Sequence, residues 1–451
     1  MLKKLGILLL GAGCAWAAQA KVDEVQAARL DQDLTPLGAE RAGNADGSIP
    51  PWTGGITQAP AGYRPGMHHL DPFAADRPRL VVDSRNMAAY QALLTPGTQA
   101  LLQANPDYHL RVFPTRRSAS LPQRLYDATR ANASRAELIA DGNGVQGAAA
   151  GVPFPLPQSG QEAIWNHITR YRGGNLKRII VQATPQTNGS FTPIRFEESV
   201  AFPQNMPDLD QSKAANILTF FKQQVTAPAR LAGNVLLVHE TLDQVKEPRQ
   251  AWGYNAGQRR VRRAQNLAYD TPIAAADGLR TADDTDMFNG APDRYDWKLL
   301  GKKEIYIPYN NYKVSSPEVK YEELLKPGHL DPQYTRYELH RVWVVEGTLK
   351  PGARHIYSKR TLYLDEDSWS AAVVDQYDGR GELWRVSMAY LKNFYDLPYT
   401  WSALDVFHDL QARRYHVQNL DNEEPGTIDF TQAIPDDSYF KPSALRRRGT
   451  R

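Results

Sequence analysis

The sequence predicts a β-rich α+β protein built on one large, curved antiparallel sheet that a few helices cover. The C-terminal half contains short segments in which apolar and polar residues alternate with period two, as on half-buried strands. Tight turns join these segments, and strands joined so closely must run antiparallel. The chain of 451 residues also contains 22 Tyr and 9 Trp, residue types that are enriched in strands.

The first twenty residues have the parts of a secretory signal peptide in the expected order. Two lysines precede an apolar run from Leu5 to about Trp16, and small residues end the segment. At about 12 residues this run is shorter than a membrane-spanning helix of ~20 residues, which argues against a retained anchor. Lipidation at Cys14 is a further alternative, but no large aliphatic residue lies three positions before it. We therefore predict cleavage after Ala20 and a periplasmic protein.

Charge and cysteine content exclude several classes of function. The chain has 53 basic and 50 acidic residues, and loss of the two leader lysines leaves 51 against 50. This balance gives no electrostatic case for a nucleic-acid partner. Cys14 is the only cysteine, so the mature chain has no disulfide, thiolate metal site or cysteine nucleophile. No second apolar run reaches the ~18 residues that would predict a membrane-spanning helix.

Residues 21–122 are predicted to form an N-terminal arm that packs on the main body. Consecutive turn residues fill positions 44–55, and one helix is predicted from about Ser84 to Ala104, with Ser84 as its N-cap. Long irregular segments are uncommon in compact domains. We therefore expect an arm that covers the body, not a separate domain.

Residues 123–451 are predicted to form the β-rich body and a C-terminal tail. A helix is expected from about Gly160 to Tyr171. The predicted strands share short length and flanking turn residues; they are Leu176–Ala183, Phe191–Glu197, Val235–Leu242, Lys302–Tyr309, Tyr337–Leu349, Lys359–Asp365, Ser370–Tyr377, Glu382–Tyr390 and Arg414–Leu420.

A predicted β-hairpin carries four clustered arginines. Trp252 and Tyr254 precede a turn at residues 255–257, and Arg259, Arg260, Arg262 and Arg263 follow it. On a strand, Arg259 and Arg263 share one face while Arg260 and Arg262 share the other. Two interpretations remain open. The arginines form an internal ion-pair lattice with the acidic residues twenty positions downstream, or they form a docking edge for a phospholipid headgroup or an acidic partner.

Those acidic residues are Asp283, Asp284 and Asp286. Their spacing lacks the alternating acidic positions and distal Glu of a helix-loop-helix calcium site. We expect a solvated turn whose carboxylates cap amides or pair with arginines. The sequence also lacks a Gly-x-Ser-x-Gly elbow, a His-Glu-x-x-His motif and a phosphate-binding glycine loop. We predict no catalytic residue, no metal ligand and no cofactor; the adjacent His68 and His69 are interpreted as a chance pair.

The sequence resembles the proteobacterial family called domain of unknown function 1329, whose members are often labelled outer-membrane lipoprotein-sorting proteins. The similarity extends over essentially the whole mature chain. The matching segments include residues 34–40, 155–157, 165–167, 252–263, 283–288, 293–301, 365–369 and 377–385. More distantly, the arginine hairpin and the acidic loop are similar to periplasmic lipoprotein carriers of the LolA/LolB type.

The resemblance implies an unclosed, strongly curved sheet that wraps helices and leaves an apolar cavity for acyl chains. It further implies a resistance-nodulation-division-type permease and an outer-membrane protein as partners, and outer-membrane association as an alternative location. This chain departs from a simple lipoprotein carrier in being roughly twice as long. Its N-terminal arm, which has no counterpart there, could cover, narrow or close the cavity.

Three functions are compatible with these observations. The first is a carrier or binding protein for a lipid or other hydrophobic molecule. The second is an adaptor in an envelope assembly that carries no cargo. The third is a lipid or glycan hydrolase that uses Asp284 and Asp286 as acid and base. Ordinary core packing also explains the residues that we expect to line the cavity, which are Trp343, Val345, Trp384, Val386 and Met388.

Overall fold

The computed structural model describes residues 22–148, 150–206, 209, 210, 212, 214–264, 267, 269–432 and 436–448. The predicted signal peptide lies outside these residues. No helix in the described part of the chain is long and apolar enough to cross a membrane.

The fold is one large, mostly antiparallel sheet that does not close into a barrel, as predicted. Two further short strands, β3 (Glu137–Ile139) and β4 (Gly144–Gln146), pair only with each other. The strands of the large sheet are β1 (Leu80–Val82), β2 (Leu110–Val112), β5 (Leu176–Ala183), β6 (Ile194–Ala201), β7 (Ile217–Ala227), β8 (Val235–Thr241), β9 (Gln250–Asn255), β10 (Arg260–Ala264), β11 (Tyr295–Pro308), β12 (Tyr337–Leu349), β13 (Lys359–Asp365), β14 (Ala371–Tyr377), β15 (Leu383–Asn393), β16 (Thr400–Asp409) and β17 (Arg414–Leu420).

Two meanders make up most of this sheet. Strands β5 to β10 pair in chain order, as do strands β11 to β17. The meanders join side by side where β17 pairs with β5, and only two residue pairs are in register there, Val417 with Ala183 and Leu420 with Val181. Strands β1 and β2 of the N-terminal region add to the sheet through one parallel pairing of Val112 with Tyr337.

The helices are few and short. They are α1 (Glu24–Ala27), α2 (Pro96–Ala104), α3 (Gln123–Asn132), α4 (Gly160–Thr169), α5 (Tyr321–Leu324) and α6 (Leu445–Arg448). The single helix expected over residues 84–104 is wrong: a 3₁₀ helix covers Met87–Leu93, and α2 begins afresh at Pro96. Thr95 is extended (φ −72°, ψ 157°) because a residue before proline avoids the helical region, and Thr95, not Ser84, caps α2.

The C-terminal tail covers one face of strands β7 to β10. Phe440 stacks on Phe220 with ring centroids 5.5 Å apart, and the His239 Nε2 atom lies 2.8 Å from the Phe440 carbonyl oxygen. Leu445 is buried in the same small core, together with Tyr254. Because side chains alternate along each strand, the tail leaves the opposite face of these strands to other parts of the chain.

Candidate functional site

The connection between β10 and β11 lies against the uncovered face of the first meander. We call its described residues, 267 and 269–294, the strap. The strap contains the three acidic residues that the sequence singled out. All three are buried, so the turn is not solvated as expected, but the expected pairing with arginines and capping of a backbone amide are both present.

Asp283 and Asp284 fix the strap to the second meander. The Asp283 carboxylate accepts hydrogen bonds from Arg360 Nη2 and lies near His355 Nε2, each at 2.9 Å. Although burial opposes ionisation, the Arg360 guanidinium holds the pKa of Asp283 below its usual range. The Asp284 carboxylate accepts from Tyr357 OH at 3.0 Å and from Gln376 Nε2 at 2.9 Å.

Asp286 fixes the strap to the segment that follows α4. Its two carboxylate oxygens lie 2.6 Å from Arg170 Nη2 and 2.7 Å from Arg172 Nη1. The indole of Trp401 donates a third hydrogen bond at 2.9 Å. Burial would raise the pKa of Asp286, but the two guanidiniums hold that pKa below its usual range. The strap is therefore a fixed wall, because its buried carboxylates Asp283, Asp284 and Asp286 all have their partners in place.

The arginine hairpin is formed but takes no part in these ion pairs. Arg260 and Arg262 lie on β10 and are exposed, as is Arg263. Arg259 lies in the turn with φ of +51°, not on the strand as predicted. Within the described chain no ion pair joins the four arginines to Asp283, Asp284 or Asp286. The structure thus does not bring the two predicted clusters together.

The residues predicted to line a cavity lie elsewhere, in packed regions. Val345, Val386 and Met388 have no exposed surface and belong to the main core. The first turn of α2 fills the space beside Val386, since a Cβ atom on Gly97 would lie 2.5 Å from a Val386 methyl group. Trp343 stacks on the Trp369 ring, and Trp384 contacts the Tyr357 ring edge-on. The structure therefore places these residues in packed surroundings, with α2 beside Val386, and their role as a ligand-binding set stays a prediction.

A cavity of about 200 Å³ lies instead between the strap and the first meander. One row of apolar side chains crosses four strands at its floor. The row follows the register of the sheet: Leu176 on β5, Val200 on β6, Phe221 on β7 and Val238 on β8. Strap residues Leu267 and Ile273 line the cavity as well. The floor and the strap together give a largely apolar compartment.

The neighbouring row is polar and mostly paired. Arg178 Nε binds Glu198 Oε2 at 2.6 Å, and Gln223 Nε2 donates to Glu198 Oε1 at 2.7 Å. Further along the wall, Arg249 Nε lies 2.5 Å from Glu240 Oε2. Burial raises the pKa of Asp405, which also lines the cavity, to about 6. An apolar row beside a polar row suits an amphiphilic molecule better than a purely polar one.

The sheet surface between the cavity and the arginine hairpin is open, and we call this surface the open flank. Gly253 lies opposite Leu236 on β8 and opposite Arg262 on β10. A Cβ atom at Gly253 would meet nothing within 4 Å, so the surface there is open. Arg262 and, by strand alternation, Arg260 therefore lie on the same face of the sheet as the apolar row.

The sequence alone did not predict this compartment, although it predicted some of the strands that form its floor. The strand Leu176–Ala183 was predicted with its observed bounds, and Val235–Leu242 was predicted to within one residue of β8. Strand β7, which supplies Phe221, was not predicted. The face that stays uncovered depends on where the tail and the strap pack, and strand periodicity does not report that packing.

Comparison with known proteins identifies relatives along nearly the full length. The uncharacterized protein PA3922 of Pseudomonas aeruginosa is 51% identical over 447 residues, which are 99% of this chain and 98% of that protein. A DUF1329 family protein from Desulfovibrio piger has a similar structure (TM-score 0.42, 15% identity), with 60% of this chain and 92% of that one covered. The LolA superfamily protein NE2245 from Nitrosomonas europaea is also similar (TM-score 0.38, 13% identity), with 63% and 98% covered.

The family profile described as "Protein of unknown function (DUF1329)" matches residues 81–446. The match includes the strap, the cavity floor and every residue of the large sheet except Leu80. The chain therefore belongs to the DUF1329 family.

Proposed function

We propose that the protein is a periplasmic carrier or binding protein for a lipid or other hydrophobic molecule, serving an envelope export or import system. The observation that supports this proposal is the row of four apolar side chains that lines a cavity across four neighbouring strands. Protein interiors are normally close-packed, so space beside four strands is not a by-product of folding. Apolar cavities bind apolar molecules. As its partners we propose a resistance-nodulation-division-type permease and an outer-membrane protein.

The size of the cavity limits what it holds. Sites for drug-sized ligands occupy about 300–1,000 Å³, so a cavity of about 200 Å³ takes a small apolar molecule or part of an acyl chain. The open flank beside Gly253 allows the remainder of a longer ligand to project outward.

Filling the cavity tests the proposal directly. We expect Val200→Phe to weaken binding of a fluorescent apolar probe by about tenfold or more, because the added ring occupies ligand space. The melting temperature should stay within a few degrees of wild type. Val245→Phe is the matched control, because Val245 is 59% exposed and remote from the row. If the wild-type protein binds no apolar probe, the carrier proposal is wrong.

A second candidate, the adaptor without cargo, is favoured by one observation. Four exposed arginines without carboxylate partners in the described chain lie at the β10 edge of the sheet. Each basic residue near an anionic membrane surface contributes about 1 kcal/mol of attraction. The edge therefore suits docking to an anionic lipid surface. The third candidate, a hydrolase, gains no such support, since Asp284 and Asp286 already accept hydrogen bonds from within the fold.

Vesicle sedimentation separates the adaptor from the carrier. We expect wild-type protein to bind phosphatidylglycerol-containing vesicles, and to release them as salt screens the charges. Replacing the four hairpin arginines with Gln should abolish this binding. The matched control replaces four exposed arginines elsewhere: Arg29, Arg85, Arg130 and Arg380. Equal loss in both variants would show a non-specific charge effect and remove support for docking through the hairpin. Vesicle binding without probe binding would favour the adaptor.

A further inference from the structure

One cation in the cavity wall has no anionic partner. Arg280 of the strap is 7% exposed and lines the cavity. Among the described residues, its guanidinium donates to the Thr281 carbonyl oxygen at 3.3 Å and to the Thr285 hydroxyl at 3.2 Å, and it lies 5.4 Å from the centre of the Phe407 ring. Its Nε–H is buried and has no hydrogen-bond acceptor. Burying a guanidinium without a paired anion lowers the stability of the fold, so the buried position of Arg280 requires an explanation.

The other arginines of the wall differ from Arg280 in this respect. Arg178 is paired with Glu198, Arg249 with Glu240, and Arg172 with Asp286. No carboxylate in the described chain lies within 4.0 Å of the Arg280 guanidinium. Asp284, Asp405 and Glu198 act on it only from farther away. The Nη2 atom of Arg280, which has no acceptor among the described residues, therefore remains available to a group inside the cavity that Arg280 lines.

The position of Arg280 relative to the apolar row defines the kind of ligand. Arg280 lies beside Phe407 of β16, whereas the apolar row crosses β5 to β8. The same compartment thus has an apolar floor and, at the β16 end, a guanidinium without an ion-pair partner, with Asp405 of β16 also in the lining. A guanidinium binds a carboxylate through two parallel hydrogen bonds, and an acyl chain matches the floor.

We propose that the cavity binds anionic amphiphiles, with Arg280 holding the carboxylate of a fatty-acid-like molecule and the row from Leu176 to Val238 contacting its chain. This inference rests on the proposed carrier function and specifies its class of ligand. Arg280 supplies the charge that distinguishes an anionic amphiphile from a neutral one of the same length.

Two ligands of equal chain length test the inference. Dodecanoate and dodecanol should compete with a fluorescent apolar probe at about pH 7, where a fatty carboxyl group is ionised. We expect wild-type protein to bind dodecanoate about tenfold or more tightly than dodecanol. Arg280→Gln should reduce this ratio to about one while leaving the dissociation constant for dodecanol within about twofold, and Arg280→Lys should retain part of the preference. Arg85→Gln, which removes an exposed arginine outside the cavity lining and the hairpin, should retain the wild-type ratio.

The outcomes separate this inference from the carrier proposal. Equal wild-type affinity for dodecanoate and dodecanol would overturn the role of Arg280 and leave the carrier intact. Failure of both ligands to bind would overturn both proposals. Inorganic phosphate and acetate are tested in the same competition assay. Neither anion should displace the probe at millimolar concentration. Displacement by phosphate as effective as that by dodecanoate would show a site for free anions and contradict the amphiphile. The wild-type comparison needs no variant, so a folding defect in Arg280→Gln does not obscure the result.

Discussion

At the scale of single residues, the strap depends on a buried ion pair that we expect to be sensitive to substitution. The Arg360 guanidinium is surrounded by the rings of Phe288, Tyr295 and Tyr357, all within about 5 Å, and Asp283 is its one carboxylate partner in the described chain. Asp283→Ala leaves that cation buried and unpaired. We expect the free energy of unfolding to fall by about 3–5 kcal/mol, measured by urea denaturation.

The control for this prediction is an arginine of the hairpin. Arg260→Ala should change the free energy of unfolding by less than about 0.5 kcal/mol, because the side chain is exposed. The double variant with Asp284→Ala should be additive, since Asp284 bonds to Tyr357 and Gln376 instead. Coupling beyond about 0.5 kcal/mol would show that the hairpin and the acidic residues share a network after all.

The sequence identified the charged residues of this region more readily than it identified the residues with which they form ion pairs. The sequence pointed to clustered arginines and to three acidic residues, and both sets are distinctive in the structure. Their partners lie far away in sequence: Arg360 is 77 residues from Asp283, and Arg170 is 116 residues from Asp286. Proximity along the chain suggested the hairpin as the partner, but tertiary packing determines which charges meet.

At the scale of elements, a buried carboxyl group joins α2 to the sheet and should make stability depend on pH. Burial raises the pKa of Asp375 on β14 to about 7, and its Oδ1 atom accepts a hydrogen bond from Thr95 at the start of α2. The unfolded value is about 3.9, so the folded protein binds more protons between about pH 4 and 7. Stability from this group is complete below about pH 4 and is lost as the pH rises toward 7.

Asp375→Asn should remove this contribution, because an amide does not titrate. We expect the fall in unfolding free energy between about pH 4 and 7 to become shallower by up to ~1.4 kcal/mol per pH unit. Thermal denaturation across that range measures the slope. An unchanged slope would assign the pH dependence to other buried carboxyl groups such as Asp405 and Glu366.

Two strands that the sequence analysis missed, β16 and β7, lack a regular alternation of apolar and polar residues. Strand β16 has nine buried residues of ten, including Ser402, Asp405 and His408, so apolar and polar positions do not alternate. In β7 the buried Lys222 interrupts the apolar pattern, and the Tyr439 ring of the tail covers its ammonium group at 3.8 Å.

At the scale of the whole molecule, the fold was predictable while the position of the cavity was not. Period-two alternation and short turns were enough to predict one antiparallel sheet. The position of the cavity depends on which parts of the sheet are covered by α2, by the tail and by the strap. Gly97 lies against Val386 in one region, whereas the apolar row near Phe221 remains open to the cavity. These placements depend on side-chain packing between distant segments, which a one-dimensional pattern does not contain.

The narrow boundary between β17 and β5 determines how the molecule responds to mechanical load. Two registered pairs join the meanders there, whereas the flanking boundaries β16–β17 and β5–β6 have five and seven. A force that shears the sheet should therefore separate β17 from β5 before it disrupts either meander. Gln418 on β17 and Gln182 on β5 both line the cavity, so the compartment lies across this weak boundary. Bending at the boundary between β17 and β5 would move the two meanders apart and widen the compartment. The covalent connection from β10 to β11 limits how far the meanders separate.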